Sequence, residues 1–147
     1  MEVGALVLSI VSLIATVLIA IWQICITIKI NKINLNSNIC EKIFDKYLIE
    51  YIPFNRRKLK FDCNEVLTGW DSFNKILVEM KRDSLYFKYN DEFFYNKLTN
   101  CLTELEDCIT SQIGKRIDST EHSKIFNEID KKIKNIYSII DLKKIKG

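Results

Sequence analysis

Residues 3–28 read VGALVLSIVSLIATVLIAIWQICITI. These 26 residues carry no Asp, Glu, Lys or Arg. About 20 apolar residues suffice to cross the hydrocarbon core of a bilayer, so the run predicts a transmembrane helix with length to spare for tilt. A cleaved signal peptide is the competing reading. It calls for a basic start, a shorter apolar core and a small-residue cleavage site. The start here is Met1-Glu2-Val3, which carries no basic side chain, and the apolar run is too long. An uncleaved anchor is expected, with Trp22 suited to the membrane interface.

Flanking charge predicts the orientation. Lys29 and Lys32 follow the run, and Arg56, Arg57, Lys58 and Lys60 come later. The positive-inside rule then places the N-terminus outside and the rest of the chain in the cytoplasm, in a single pass through the inner (cytoplasmic) membrane. The five cysteines, Cys25, Cys40, Cys63, Cys101 and Cys108, form no paired CxxC, which suits a reduced compartment. With one histidine and no ligand spacing, neither zinc nor another metal is expected.

The rest of the chain is polar enough, and long enough, for one small core. Its low Gly and Pro content, four and one in the whole chain, argues for long helices. The expected fold class is all-α. Residues 1–35 form the transmembrane helix with a juxtamembrane extension, and residues 36–147 form a cytoplasmic helical domain. Ile39, Ile43, Phe44, Tyr47, Leu48 and Tyr51 recur at helical spacing, and Pro53 is expected to end that helix. Asn55–Thr68 reads as a short helix or loop. Trp70, Phe73, Ile76, Leu77, Met80 and Ser84 mark one face of the next helix, after which FKYND reads as a turn. Phe94, Leu98, Cys101, Leu102, Leu105, Cys108, Ile109 and Ile113 mark a third, stopped at Gly114. Asp118-Ser119-Thr120-Glu121 is a capping-box signature opening a last helix to about Ile145, with Ile125, Ile129, Ile133, Ile136 and Ile140 inward. Several amphipathic segments in succession predict a small bundle.

The apolar run has a polar side. At about 100° per residue, Ser9, Ser12, Thr16, Gln23 and Thr27 fall within a sector of roughly 60°, with Ala20 on the same line. Asn31, Asn34 and Asn38 extend it if the helix continues. Three readings stay open. The stripe packs against neighbouring helices. It lines a water-filled lumen in a ring of identical helices. Or the helix is alone and its hydroxyls bond back to its own backbone. The amide of Gln23 fits the third reading poorly, because its own helix cannot satisfy it. A homo-oligomer in the lipid bilayer is therefore expected, with no ionisable group for a proton relay.

His122, the one histidine, lies one turn into the last helix, and Arg116 precedes it in RIDSTEH. This spacing resembles the R-x4-6-H motif of HEPN domains, helical bundles found in many prokaryotic ribonucleases. The resemblance implies an Arg that stabilises phosphate charge and a His that handles protons, paired across two domains to cleave RNA. Here Ile117 stands where the family usually has a polar residue. His122 also shares a wheel face with Ile125, Ile129 and Ile133, so a structural use at the edge of the core is the first reading, ahead of a degenerate HEPN-derived site and an active nuclease. Anchor, stripe and motif together resemble the membrane-anchored, HEPN-like accessory proteins of type VI-B, RNA-targeting CRISPR systems. That resemblance implies a HEPN-like bundle, assembly into a membrane pore and loss of membrane potential in antiviral (phage) defence, with an RNA-targeting CRISPR effector or RNA as partner. A membrane-tethered ribonuclease using Arg116 and His122, and a plain single-span scaffold, are the alternatives.

Other clusters are weaker. Glu104, Glu106 and Asp107 read as a solvated helix face. Phe87, Tyr89, Phe93, Phe94 and Tyr95, with Lys88 and Lys97, suit a bundle corner or subunit contact better than base stacking. The basic run from Arg56 to Lys60 suits anionic lipid. There is no phosphate-cradling glycine loop and no nucleophile elbow, so no cofactor and no small-molecule substrate are expected.

Overall fold

The structure is a computed structural model. It describes the backbone of residues 2–146; the side chains of residues 2, 3, 5, 6, 44 and 144–146 lie outside the description, and with them the expected face position of Phe44. The chain is mostly helical. Helix α1 spans Glu2–Ile43, a π-helical segment Phe44–Tyr51, α2 Ile52–Lys58, α3 Trp70–Asp83, α4 Leu85–Asn90, α5 Glu92–Thr110 and α6 Ser119–Lys146. Two short strands, β1 (Lys60–Phe61) and β2 (Leu67–Thr68), pair antiparallel between α2 and α3. The chain divides into two compact units between Asn38 and Ile39.

The first unit is the body of α1. Among the described residues it is the one helix long and apolar enough to cross a membrane, and none of its apolar window is buried. Leu13, Leu18 and Trp22 are each more than 60% exposed.

The second unit carries the core. Tyr47, Leu48, Ile52, Phe73, Leu77, Met80, Phe87, Leu98, Leu102, Leu105, Ile129, Ile136 and Ile140 are almost fully buried. The inward faces of α3, α5 and α6 are those that the apolar periodicity predicts. Ion pairs rim the core and tie helix to helix. Lys81 pairs with Glu106 at 2.6 Å, Lys132 with Glu104 at 2.7 Å, and Lys143 with Asp91 at 2.6 Å. Arg56 makes a two-pronged contact with Asp130 at 2.6 and 3.1 Å while its guanidinium lies over the Phe126 ring. Glu104 and Glu106 are therefore partnered to lysines, and no group of metal-ligating side chains forms among the described residues.

Pro53 does not end the helix. A proline inside an α-helix collides with the carbonyl four residues back, here that of Ile49. The chain avoids this by widening into a π register, with hydrogen bonds from residue i+5 to residue i; Ile52 N–H accordingly donates to the Tyr47 carbonyl. The wider turn also solves a phase problem. On an α wheel, Cys40, Ile43 and Tyr47 point one way, and Leu48, Ile52, Asn55 and Leu59 point about 115° further round. All seven are buried. Each residue of a π-helix advances by less than an α residue does, so the eight residues 44–51 bring the second group back over the first.

Two other expectations change. The first four residues of FKYND are helical and end α4, leaving Asp91 alone as the break before α5. The buried Ser84 marks the break from α3, its hydroxyl donating to the Met80 carbonyl at 2.7 Å. Asn55–Thr68 contains the small hairpin as well as the end of α2. Its tip is built by Asp62, whose Oδ1 accepts from the N–H groups of Asn64 and Val66, both at 2.9 Å, and by Glu65 at φ 61°. Gly69 then turns the chain into α3 at φ 81°, where a Cβ would meet the Lys58 carbonyl oxygen at 2.3 Å. Gly69→Ala meets both a left-handed backbone and immovable main chain. It is expected to cost more than about 2 kcal/mol, read as a lower melting temperature of the second unit.

Candidate functional site

The polar side of α1 is a line of small and hydroxyl side chains on an otherwise aliphatic surface. Thr16 Oγ1 donates to the Ser12 carbonyl and Thr27 Oγ1 to the Gln23 carbonyl, each at 2.8 Å. Ser9 also has a partner. A threonine that bonds four residues back satisfies its hydroxyl at little cost, so these residues need no second helix. Gln23 differs. Its primary amide offers two donors and an acceptor, it is exposed, and its side chain makes no hydrogen bond among the described residues. Ala20, Gln23, Ile24, Thr27 and Ile28 border a shallow groove along the helix. The small Ala20 side chain lies in this groove beside the Gln23 amide.

Arg116 and His122 are both engaged by the hairpin. The His122 ring stacks on Phe61 with centroids 3.7 Å apart and planes 4° from parallel. Its Nε2 lies 2.9 Å from the Ile117 carbonyl. Arg116 bridges to Val66 through its backbone, and its Nε donates to Glu65 Oε2 at 3.1 Å. Ile117 is buried, and its N–H donates to the Glu65 carbonyl at 3.0 Å. The two motif residues thus clamp β1 and β2 against the start of α6. His122 is half-buried under an aromatic ring, whereas the Arg116 side chain is 80% exposed. Asp118 caps α6 with Oδ1 accepting from the Thr120 N–H at 2.8 Å, the second helical position rather than the third.

A third cluster was not visible in the sequence. Lys46 Nζ donates to Tyr47 Oη and to Asp83 Oδ2, each at 2.8 Å, and the Tyr47 hydroxyl donates to the same Asp83 oxygen at 2.5 Å. Ile39, Lys42 and Ile43 complete a groove around it. Burial, then the hydrogen bond to Asp83, pushes the Tyr47 phenol up to about 12. The bonds from Lys46 to Asp83 and Tyr47 raise the ammonium further. Burial alone pushes the Asp83 carboxyl up, but the bonds it accepts from Lys46 and Tyr47 outweigh this and hold it below the usual range. The group is locked in its charged, fully bonded form, which suits a strut and not a proton carrier. Asp83 lies 36 positions from Tyr47, and no spacing motif joins residues that distant.

The aromatic patch divides. Phe87 and Phe94 are buried and meet edge to face, with centroids 4.8 Å apart. Tyr89 and Phe93 are exposed, with Lys97 4.4 Å above the Phe93 ring. Burial pushes the Cys101 and Cys108 thiols up, away from the nucleophilic thiolate. None of the five cysteines is in a disulfide. No family model, curated protein or solved structure matches the chain.

Asp83 and Asp91 share one consequence. Asp91, the cap of α5, is likewise pushed up by burial but held low overall by Lys143 and by the Phe94 N–H. A carboxyl whose folded pKa is lowered stabilises the fold fully above its unfolded value near 3.8, and that stability fades as pH falls through the lowered folded value. Melting temperature is therefore expected to drop on acidification below about pH 4. Asp83→Asn should lower it at neutral pH and flatten the acid limb, as followed by circular dichroism across pH 2–7.

Proposed function

We propose that this protein is a non-enzymatic membrane effector whose chains assemble through α1 into a pore. The single observation that carries the reading is the exposed amide of Gln23, which has no partner among the described residues of its own helix, in a line of polar and small side chains on an apolar helix. In hydrocarbon an unpaired amide costs several kcal/mol. Copies of α1 arranged around a wet lumen remove that cost for every subunit at once. Ser9, Ser12, Thr16, Gln23 and Thr27 then face water, with Ala20 allowing close approach. The remaining Val, Leu and Ile side chains face lipid.

In this reading α1 inserts with its N-terminus outside, and the helical unit lies in the cytoplasm, as the basic residues after residue 28 favour. Opening the pore dissipates the membrane potential and halts growth. The resemblance to accessory proteins of RNA-targeting CRISPR systems supplies the setting, defence against phage. The stack of His122 on Phe61 and the contact of its Nε2 with the Ile117 carbonyl support a structural use of the motif over a ribonuclease, since one ring face and one ring nitrogen are already taken within the chain.

Purified in detergent, the protein should sediment as a discrete oligomer. A monomer at all concentrations would sink the proposal. Gln23→Leu with Thr16→Leu should abolish depolarisation of induced cells, and undiminished depolarisation counts against a lumen lined by this stripe. Arg116→Ala with His122→Phe, which retains an aromatic stack on Phe61, should leave depolarisation intact. Its loss, together with RNA cleavage by the unaltered protein, would favour the ribonuclease.

A further inference from the structure

The π segment leaves one carbonyl that its own helix cannot satisfy. In a π register the carbonyl of residue i accepts from the N–H of residue i+5. Tyr47 obeys this through Ile52. The next carbonyl, that of Leu48, falls to residue 53, and residue 53 is the proline, which has no N–H. Leu48 is fully buried, so water is no substitute. The Tyr137 hydroxyl, projecting from α6, donates to the Leu48 carbonyl. A neighbouring carbonyl is served in a similar way, with the buried Asn55 amide donating to the Tyr51 carbonyl at 2.9 Å. Asn55, however, sits on α2, one turn on in the same stretch of helix. Tyr137 lies 89 positions away from Leu48 in sequence.

We infer that the Tyr137 hydroxyl is a latch by which α6 holds the π segment shut, and with it the last turn of α1. With the latch closed, Ile39, Cys40 and Ile43 stay packed against the core. Withdrawing Tyr137 strands a buried acceptor and favours local opening of residues 44–53, which frees the end of α1 from its packing. Any event that shifts α6 thereby reaches the segment that continues α1. The inference stands whether or not α1 lines a pore.

Cys40 is a native reporter, buried at the end of α1, while Cys101 and Cys108 on α5 serve as internal controls. The experiment is thiol labelling of the full-length protein in detergent, with each cysteine followed by mass spectrometry. Tyr137→Phe should speed Cys40 labelling about tenfold and leave Cys101 and Cys108 within about twofold of their unaltered rates. Pro53→Ala supplies the missing N–H to Leu48, and the two buried stripes still demand the π register. Tyr137→Phe in the Pro53→Ala background should therefore return Cys40 to near its original rate. A joint rise at Cys40, Cys101 and Cys108 means general loosening of the domain and overturns the latch. So does an unchanged Cys40 rate in Tyr137→Phe, and so does a failure of Pro53→Ala to rescue.

Discussion

The helical unit depends on keeping one helix continuous past a proline while burying a single face of it. Two short apolar stripes, one ending at Tyr47 and one beginning at Leu48, are out of phase on an α-helix. Pro53 forbids the ordinary α bond to Ile49. The π segment answers both constraints with one change of register. It does so at the expense of a buried carbonyl, and α6 returns across the bundle to satisfy it through Tyr137. The packing of α1's last turn, the direction of α2 and the placement of α6 are thus linked through one hydroxyl.

Around this frame the charged residues act chiefly as struts. Lys46 and Tyr47 meet Asp83, Arg56 meets Asp130, and the α3–α5 and α5–α6 edges carry one lysine–glutamate pair each. These pairs are partly exposed, so each adds little by itself. Their collective use is to fix which helix lies beside which. The hairpin is held in the same manner, between the Phe61–His122 stack and the Glu65–Arg116 pair. The two residues that resemble a nuclease motif are thereby the residues that dock β1 and β2 onto α6.

The first unit follows a different logic. With no core of its own, α1 exposes nearly every side chain, and its surroundings must supply what a protein interior supplies elsewhere. Aliphatic side chains suit lipid, and hydroxyls close on their own backbone. Gln23, with the largest polar side chain of the stripe, asks for more than a hydroxyl does, and the proposed assembly of identical chains is the arrangement that answers it.

The sequence by itself determined the elements whose signal is local. An uncharged run of 26 residues is legible because nothing but its own composition is needed to read it. The inward faces of α3, α5 and α6 follow from apolar spacing, and the start of α6 follows from Asp118 as a cap. The one-residue slip between the stripe of Cys40, Ile43 and Tyr47 and that of Leu48, Ile52 and Asn55 was also present in the sequence. It is ambiguous without the fold, because a break at Pro53 and a π turn before it predict the same spacing. Only the tertiary structure chose between them, since the choice rests on a donor from α6. The same holds for Asp83 beneath Tyr47 and for Phe61 over His122. Such contacts join residues tens of positions apart, and complementary shape and charge at that separation leave no periodic trace in the chain.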